Sequence, residues 1–326
     1  MVVDGFIFYN ELDMLEFRLE EHDSFVDYFV IVEATVTHSG LPKELYFENN
    51  KQRFQKFLPK IVHVVVDHIP SDFEFEKDIN WLEFLNKIYN VLKYPTDSSN
   101  KYWRLHLDRY VPNMIQGAKD RWQGWVREWM HRQGILKGLE RLPLNDSDIV
   151  LISDVDEIIH VSLIEWVLAH TGPKNRILDF DGPLNELLSI RQESFYYNLE
   201  CRGTSGPWYR PKIMNWGTLR EIGDSDMVRI ADVNSIGPGG WHFSYFGDVD
   251  QIIKKVQGFS HQEYNIPEYL DPSTIKQRIE SFTDLFARDR DASEKLWRYT
   301  PFDKTGFDWP RKCELLIKLF NLPYTV

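Results

Sequence analysis

The sequence predicts an α/β protein built on a mostly parallel, Rossmann-like central sheet flanked by helices, and three observations carry that prediction. Apolar runs at Val2–Phe8, Tyr28–Val32 (YFVIV) and Ile61–Val66 (IVHVVV) all fall early in the chain, with helical or loop segments between them. That alternation is what crossover connections between parallel strands produce. The second and third runs are continuous rather than alternating, as expected of strands covered on both faces.

The elements follow in order. The first strand ends near Asn10, an N-cap candidate, and Leu12, Leu15, Phe17 and Leu19 then mark an amphipathic helix. The second strand passes into the polar loop Glu33–Leu41, and the third ends at Asp67. Pro70, Pro95, Pro112 and the turn-forming YPTDSSN at 94–100 predict loops and short helices over 70–117. Ala118–Leu139 reads as one long helix, weakened near its end by Gly134 and Gly138. Asp148–Ser153 (DIVLIS) is the next buried strand, and Ile164–Ala169 is a candidate helix after it. Ile177–Asp181, Ser194–Leu199 and Trp241–Tyr245 are further strand candidates, and 249–262 and 272–298 look helical. There is no internal repeat and no interdomain linker.

Composition narrows the function classes. With 326 residues, 43% hydrophobic and 27% charged, the chain is an ordinary globular protein. A formal net charge of −12 opposes a phosphate backbone, so nucleic acid is not an expected partner. No run of apolar residues is long enough to cross a membrane, and the amino end has neither a basic start nor a cleavage site. A soluble, cytoplasmic chain without membrane anchor is the expectation. Cys201 and Cys313 read as two reduced thiols.

Asp154, Val155, Asp156 and Glu157 follow directly on the fourth strand, and ligands of α/β sheets bind at the carboxyl ends of strands. Alternate residues of an extended segment share a side, so Asp154 and Asp156 face one crevice while Val155 packs away. Two such carboxylates are suited to share a hard divalent cation, or to divide between a metal and a ligand hydroxyl. A bare D-x-D is otherwise a solvated turn with one acid capping the next helix. Two other functions use similar acids. An aspartate-nucleophile phosphatase phosphorylates the first Asp of a D-x-D, but that motif normally opens the chain with Thr or Val where Ile158 stands here. A non-catalytic glycan-binding module would use the acids for a structural Ca²⁺.

Three blocks together are more specific. DGFIFYNELDMLEFRL (Asp4–Leu19), DVDEI (Asp154–Ile158) and GGWHFSYFG (Gly239–Gly247) resemble glycosyltransferase family 17, with a match running from about residue 4 to about 265. The resemblance implies a single GT-A catalytic domain over 1–326, with a nucleotide-sugar-binding half over about 1–160 and an acceptor-binding half with C-terminal helices beyond. It implies a UDP-sugar donor, normally UDP-N-acetylglucosamine, and inverting transfer to a glycan hydroxyl in β linkage, assisted by Mn²⁺ or Mg²⁺.

Carried onto this chain, the resemblance assigns Asp154 to the ribose side of the donor and Asp156 to the metal, with Glu157 as a metal partner or support. His242, after the run Gly237–Gly240, is the candidate third ligand, against the alternative of a hydrogen-bonded core histidine. Glu33 is placed to accept from a uracil N–H or ribose hydroxyl, with Thr37, His38 and Ser39 either at the pocket lip or, equally well, in an ordinary polar strand-to-helix loop. Lys43, Arg127 and Arg132 are candidate diphosphate or acceptor contacts, although Arg127, Glu128 and Arg132 equally fit helix-surface ion pairs. Inversion needs a general base. Asp181, Glu186, Glu200 and Glu263 are the candidates, with Glu263 preferred because it and His261 follow closely on His242. Tyr196, Tyr197, Trp208 and Trp216 offer flat faces to an acceptor sugar, with core packing as the alternative.

Overall fold

The computed structural model describes residues 1–69, 122–170, 187–288, 299–301 and 307–323. It is a mixed α/β structure. Its large sheet runs in the order β10-β6-β9-β4-β1-β2-β3, with β1 Val2–Phe8, β2 Tyr28–Ala34, β3 Ile61–Val66, β4 Ile149–Asp154, β6 Leu187–Ile190, β9 Lys212–Asn215 and β10 Ser235–Ile236. The block β3-β2-β1-β4 is parallel, and β9 is antiparallel to both β4 and β6. A smaller sheet, ordered β12-β8-β7-β11-β5, comprises β5 Glu157–Ile159, β7 Glu193–Tyr196, β8 Cys201–Gly203, β11 Gly240–Ser244 and β12 Tyr299–Pro301.

Helices cover both faces of the large sheet. On one side lies α1 (Leu12–His22), whose Leu15, Phe17 and Leu19 pack with Phe6, Phe29 and Ile31. On the other lie α2 (Trp122–Arg132) and α3 (Gly134–Leu139), the latter packing Ile135 and Leu139 against Val30, Val32 and Val64. The helix expected over 118–139 is thus interrupted at Gln133. Gly134 and Gly138 are contact points with the sheet, because a Cβ on either would come within 2.4 Å of Val32 or 2.3 Å of Val30.

Other boundaries shifted for local reasons. Asn10 is not a side-chain cap; Glu11 holds the N-cap position of α1 and makes no capping hydrogen bond. The strand expected over 194–199 stops at Tyr196, because Tyr197 adopts a left-handed φ of 65° and the Asn198 side chain accepts from the Glu200 and Cys201 amides to close a turn. The helix expected over 249–262 is α7 (Val249–Gly258), preceded in the chain by α4 (Val161–Ala169), α5 (Trp216–Ile222) and α6 (Ser225–Ile230). It ends where Phe259 turns extended. After the short helix Pro267–Leu270, α8 (Pro272–Ser281) is closed by Phe282 in the left-handed region at φ 52°. A last helix, α9, spans Cys313–Leu319. The expected strand Ile177–Asp181 and the segment 70–117 lie outside the described residues. Cys201 and Cys313 are free and buried, and no helix among the described residues is long and apolar enough to cross a membrane.

The connection order makes one place special. The chain builds β1, β2 and β3 outward and then returns to lay β4 on the opposite side of β1. The carboxyl ends of β1 and β4 therefore open at the point where strand order reverses, which in such sheets is the ligand crevice. Ile7 pairs with Asp154 across that junction.

Candidate active site

The acidic residues leave β4 at this junction and turn into β5. Val155 is buried in the core between the two aspartates. Asp154 keeps 35% of its side-chain surface exposed, and two guanidinium groups hold its oxygens. Arg132 Nη1, from the end of α2, donates to Oδ1 at 2.7 Å, and Arg229 Nη2, from α6, donates to Oδ2 at 2.8 Å. Burial alone would raise this carboxyl, but Arg229 and Arg132 hold it well below the ordinary carboxylate range. The residue that a phosphatase would phosphorylate is therefore clamped on both oxygens.

Glu157 turns inward and is fully buried. Its Oε1 accepts from Arg229 Nη2 and Trp208 Nε1, and its Oε2 accepts from the Asp154 amide at 2.8 Å. Asp156 has a separate set of partners. Its Oδ2 pairs with Lys255 Nζ of α7 at 2.8 Å, and its Oδ1 stands 3.8 Å from His242 Nε2 on β11. Burial would raise the Asp156 carboxyl, and Lys255 with His242 brings it below its usual value. Lys255 also lies 3.3 Å from Glu11, and Asp156 and Glu11 together hold its ammonium above the ordinary lysine range against the pull of burial. Trp208 stacks on the His242 imidazole, with ring centroids 4.5 Å apart.

The site extends along Arg132. Its Nη2 donates to Glu128 and its Nε to Asp226, at 2.6 and 2.8 Å. Glu128 in turn accepts from Ser260 Oγ, just past α7. Three residues on, Glu263 Oε1 pairs with His261 Nδ1 at 2.9 Å, while its Oε2 is buried with no hydrogen-bond partner among the described residues. Asp154, Asp156, Glu157, His242 and Arg132 thus fall on one continuous chain of contacts, and Glu263 follows in sequence on Ser260 at its far end.

The remaining candidates have other surroundings. Glu33 is fully buried and accepts from the Phe47 and Glu48 amides and from His63, holding the first turn of the short helix Tyr46–Asn49. Lys43 lies 3.6 Å from Glu33 and donates to the Glu44 carbonyl. The Thr37 hydroxyl accepts from the Leu41 amide and meets Ser39, closing its own loop. Arg127 Nη1 donates to the His38 carbonyl, tying α2 to that loop. His38 faces Glu128 at 3.8 Å and His131 at 3.2 Å. Tyr196, Tyr197 and Trp216 are core residues, leaving Trp208 as the flat face at the site. Glu200 sits in the turn after β7, and Asp181 and Glu186 lie outside the described residues.

Sequence reasoning did not reach Arg229, Lys255 or Glu11, nor Asp4, Arg18 and His22 beneath the acidic turn. The signal for the last three was present: Asp4 is an acid inside an otherwise apolar strand, and Arg18 and His22 lie one helical turn apart among core residues of α1.

Compared with known proteins, the chain matches the family model of glycosyltransferase family 17 over residues 1–88 and 88–289. Comparison with curated proteins and with solved structures gave no match.

Proposed function

Because the chain belongs to glycosyltransferase family 17, we propose that its acidic turn receives the diphosphate of a nucleotide-sugar donor and that the sugar passes, with inversion, to a glycan hydroxyl in β linkage. The chain is a glycosyltransferase, and it accordingly uses a nucleotide-sugar donor and an acceptor. UDP-N-acetylglucosamine is the donor that the family resemblance favours. The observation that carries the reading is the placement of Asp154 and Asp156 at the strand-order reversal, with His242 3.8 Å from Asp156. A GT-A arrangement is supported by the parallel block β3-β2-β1-β4 with the acidic turn at the end of β4. On this reading the donor lies over strand ends from the first 160 or so residues, and the acceptor against later elements.

A divalent cation fits this donor set in a restricted way. Among the described residues no group of three or more His, Cys, Asp or Glu is placed to hold one. Magnesium-type sites in phosphate-transferring enzymes commonly take only one or two protein ligands and complete their shell with phosphate and water. Asp156 and His242 supply one hard oxygen and one imidazole nitrogen, whereas the oxygens of Asp154 and Glu157 are occupied by donors. Bound there, Mn²⁺ or Mg²⁺ would act as a Lewis acid toward the departing diphosphate.

The protein's own groups do the rest. Lys255 brings a fixed positive charge to the same crevice, and Arg132 and Arg229 fix the Asp154 carboxylate that faces the donor ribose. Glu263 accepts the acceptor hydroxyl's proton as the new carbon–oxygen bond forms and the bond to the diphosphate oxygen breaks.

The test is a thermal-shift series with nucleotide sugars, with and without Mn²⁺, on the wild type and Asp156→Ala. Stabilisation by UDP-N-acetylglucosamine that needs Mn²⁺ and disappears in the variant is expected. Stabilisation and transfer that are indifferent to Asp156 would sink the reading.

A further inference from the structure

Beneath the acidic side chains, the four backbone carbonyls of residues 154–157 all have donors. Those of Asp154 and Glu157 lie 2.8 Å from Arg18 Nη1, and that of Val155 lies 3.4 Å from the same atom. The Asp156 carbonyl accepts from the Phe243 amide at 2.8 Å. Carbonyls that converge in a dry interior repel one another unless donors sit among them. One guanidinium nitrogen meets that need for three of the four.

The guanidinium is itself held. Asp4, on β1, takes Nε at 2.9 Å and Nη2 at 2.6 Å, and Nη2 also reaches Ser153 Oγ. Asp4 and Arg18 are both fully buried. Burial would raise the Asp4 carboxyl, and Arg18 and His22 bring it down to about 2. His22 contacts Asp4 through Nδ1 at 2.8 Å and receives the Ile159 amide on Nε2 at 2.9 Å. An amide only donates, so Nε2 carries no proton, and the ring is the neutral tautomer with its hydrogen on Nδ1, directed at Asp4. Burial, which holds His22 below the usual histidine range, agrees with that assignment. Three side chains from β1 and α1 thus fix the backbone of the turn from Asp154 to Ile159.

The Arg18 contacts at the turn are to backbone oxygens and to Ser153, with none to the carboxylates of Asp154 or Asp156. We infer that Arg18, held by Asp4, is a positioning residue that sets the acidic turn so its aspartates are aimed at the donor. The inference rests on the reading of that turn as the donor site. An ion pair that served folding alone would need only a positive charge opposite Asp4. Serving the carbonyls as well requires the planar, several-donor group that arginine has and lysine lacks.

Arg18→Lys separates the two roles. It keeps the charge beside Asp4 and loses the span to the carbonyls. With UDP-N-acetylglucosamine as donor, the variant is expected to keep its fold and a Tm within a few degrees of wild type. Its donor KM should rise about 10-fold and its kcat fall by about 10- to 100-fold, as misplacement of a site by about 1 Å does. Full kcat and KM in a folded Arg18→Lys protein would overturn the inference. Should Arg18→Lys not fold, the double variant Asp4→Asn/Arg18→Met, which leaves no buried charge unpaired, takes its place under the same criterion. Failure of both to fold would assign Arg18 to folding alone and overturn the inference as well. Asp156→Ala distinguishes the levels. Undiminished transfer in that variant removes the donor-site reading and the inference with it. An inactive Asp156→Ala beside a fully active Arg18→Lys removes the inference only.

Discussion

Asp156 Oδ1 and His242 Nε2 stand 3.8 Å apart, on a turn and a strand that meet through the pairing of β5 with β11. The other Asp156 oxygen is taken by Lys255, so the carboxylate is anchored on one side and directed at the imidazole on the other. On the proposed function, in which His242 helps hold a cation at the departing diphosphate, its loss is expected to lower kcat/KM by on the order of 10² to 10³. His242→Ala should show that loss, and it should also raise the Mn²⁺ concentration needed for half-maximal transfer by about 10-fold or more. A Mn²⁺ titration of transfer rate checks it. An unchanged Mn²⁺ requirement would leave His242 as no more than the partner on which Trp208 stacks.

Gly134 and Gly138 test the packing that carries the site. Alanine is the better helix former by about 1 kcal/mol, so helix propensity alone predicts that Gly134→Ala stabilises. The structure predicts the reverse, because the new methyl would lie 2.4 Å from Val32 Cγ1 and 2.9 Å from Val66 Cγ2. Overpacking of this kind typically costs about 1–3 kcal/mol. Urea unfolding should show a lower midpoint with an unchanged slope. A raised midpoint would show that α3 withdraws from the sheet without cost.

Those two glycines also mark where sequence reasoning stops. Their cost to helix propensity is local and can be read from the sequence, but the reason for them is a long-range approach to β2. The strands β1 to β4 were legible because each is long, apolar and separated from the next. β6, β8 and β9 are only three or four residues each, too short for a period to register. Asp154 and Asp156 were legible from position, since acids directly after a buried strand stand where ligands bind. Their partners were not, because Arg229 reaches Asp154 across 75 positions and Arg18 reaches Glu157 across 139. Glu33 shows the converse. It also ends a strand, but it turns toward the backbone amides of the short helix Tyr46–Asn49, and nothing in its sequence neighbourhood states which way a strand-end acid will face.

Lys212 on β9 gives a pH signature. Its ammonium is buried, donating to Ser189 Oγ at 3.0 Å and to the Tyr209 carbonyl at 2.9 Å. Burial, with Arg229 and Arg210 nearby, pushes its pKa down to about 7. The unfolded lysine titrates near 10.4, so between about pH 7 and 10.4 the unfolded state binds more protons and stability gains with rising pH. Below about pH 7 the burial penalty is present in full. Lys212→Met removes that term and also two hydrogen bonds, whose loss contributes a difference that does not depend on pH. The Tm of the variant relative to wild type should therefore be highest at about pH 6 and decline towards about pH 9.5. A flat difference across this range would mean that Lys212 keeps its proton in the fold.

Glu263 is the group whose replacement should separate chemistry from binding. Its Oε1 is held by His261 Nδ1 at 2.9 Å, which orients the carboxylate, and its buried Oε2 meets no donor among the described residues. An oriented carboxylate with one oxygen uncommitted is what removal of an acceptor proton requires. Ser260, three residues before Glu263, is tied through Glu128 and Arg132 to Asp154. Glu263→Gln preserves shape and hydrogen-bonding capacity but cannot take up the proton. kcat should fall by about 10²- to 10⁴-fold, with donor KM and the Mn²⁺-dependent thermal shift close to wild type. A variant that loses donor affinity instead would place Glu263 in the binding site and return the general-base role to another carboxylate. A variant with full kcat would remove it from the chemistry altogether.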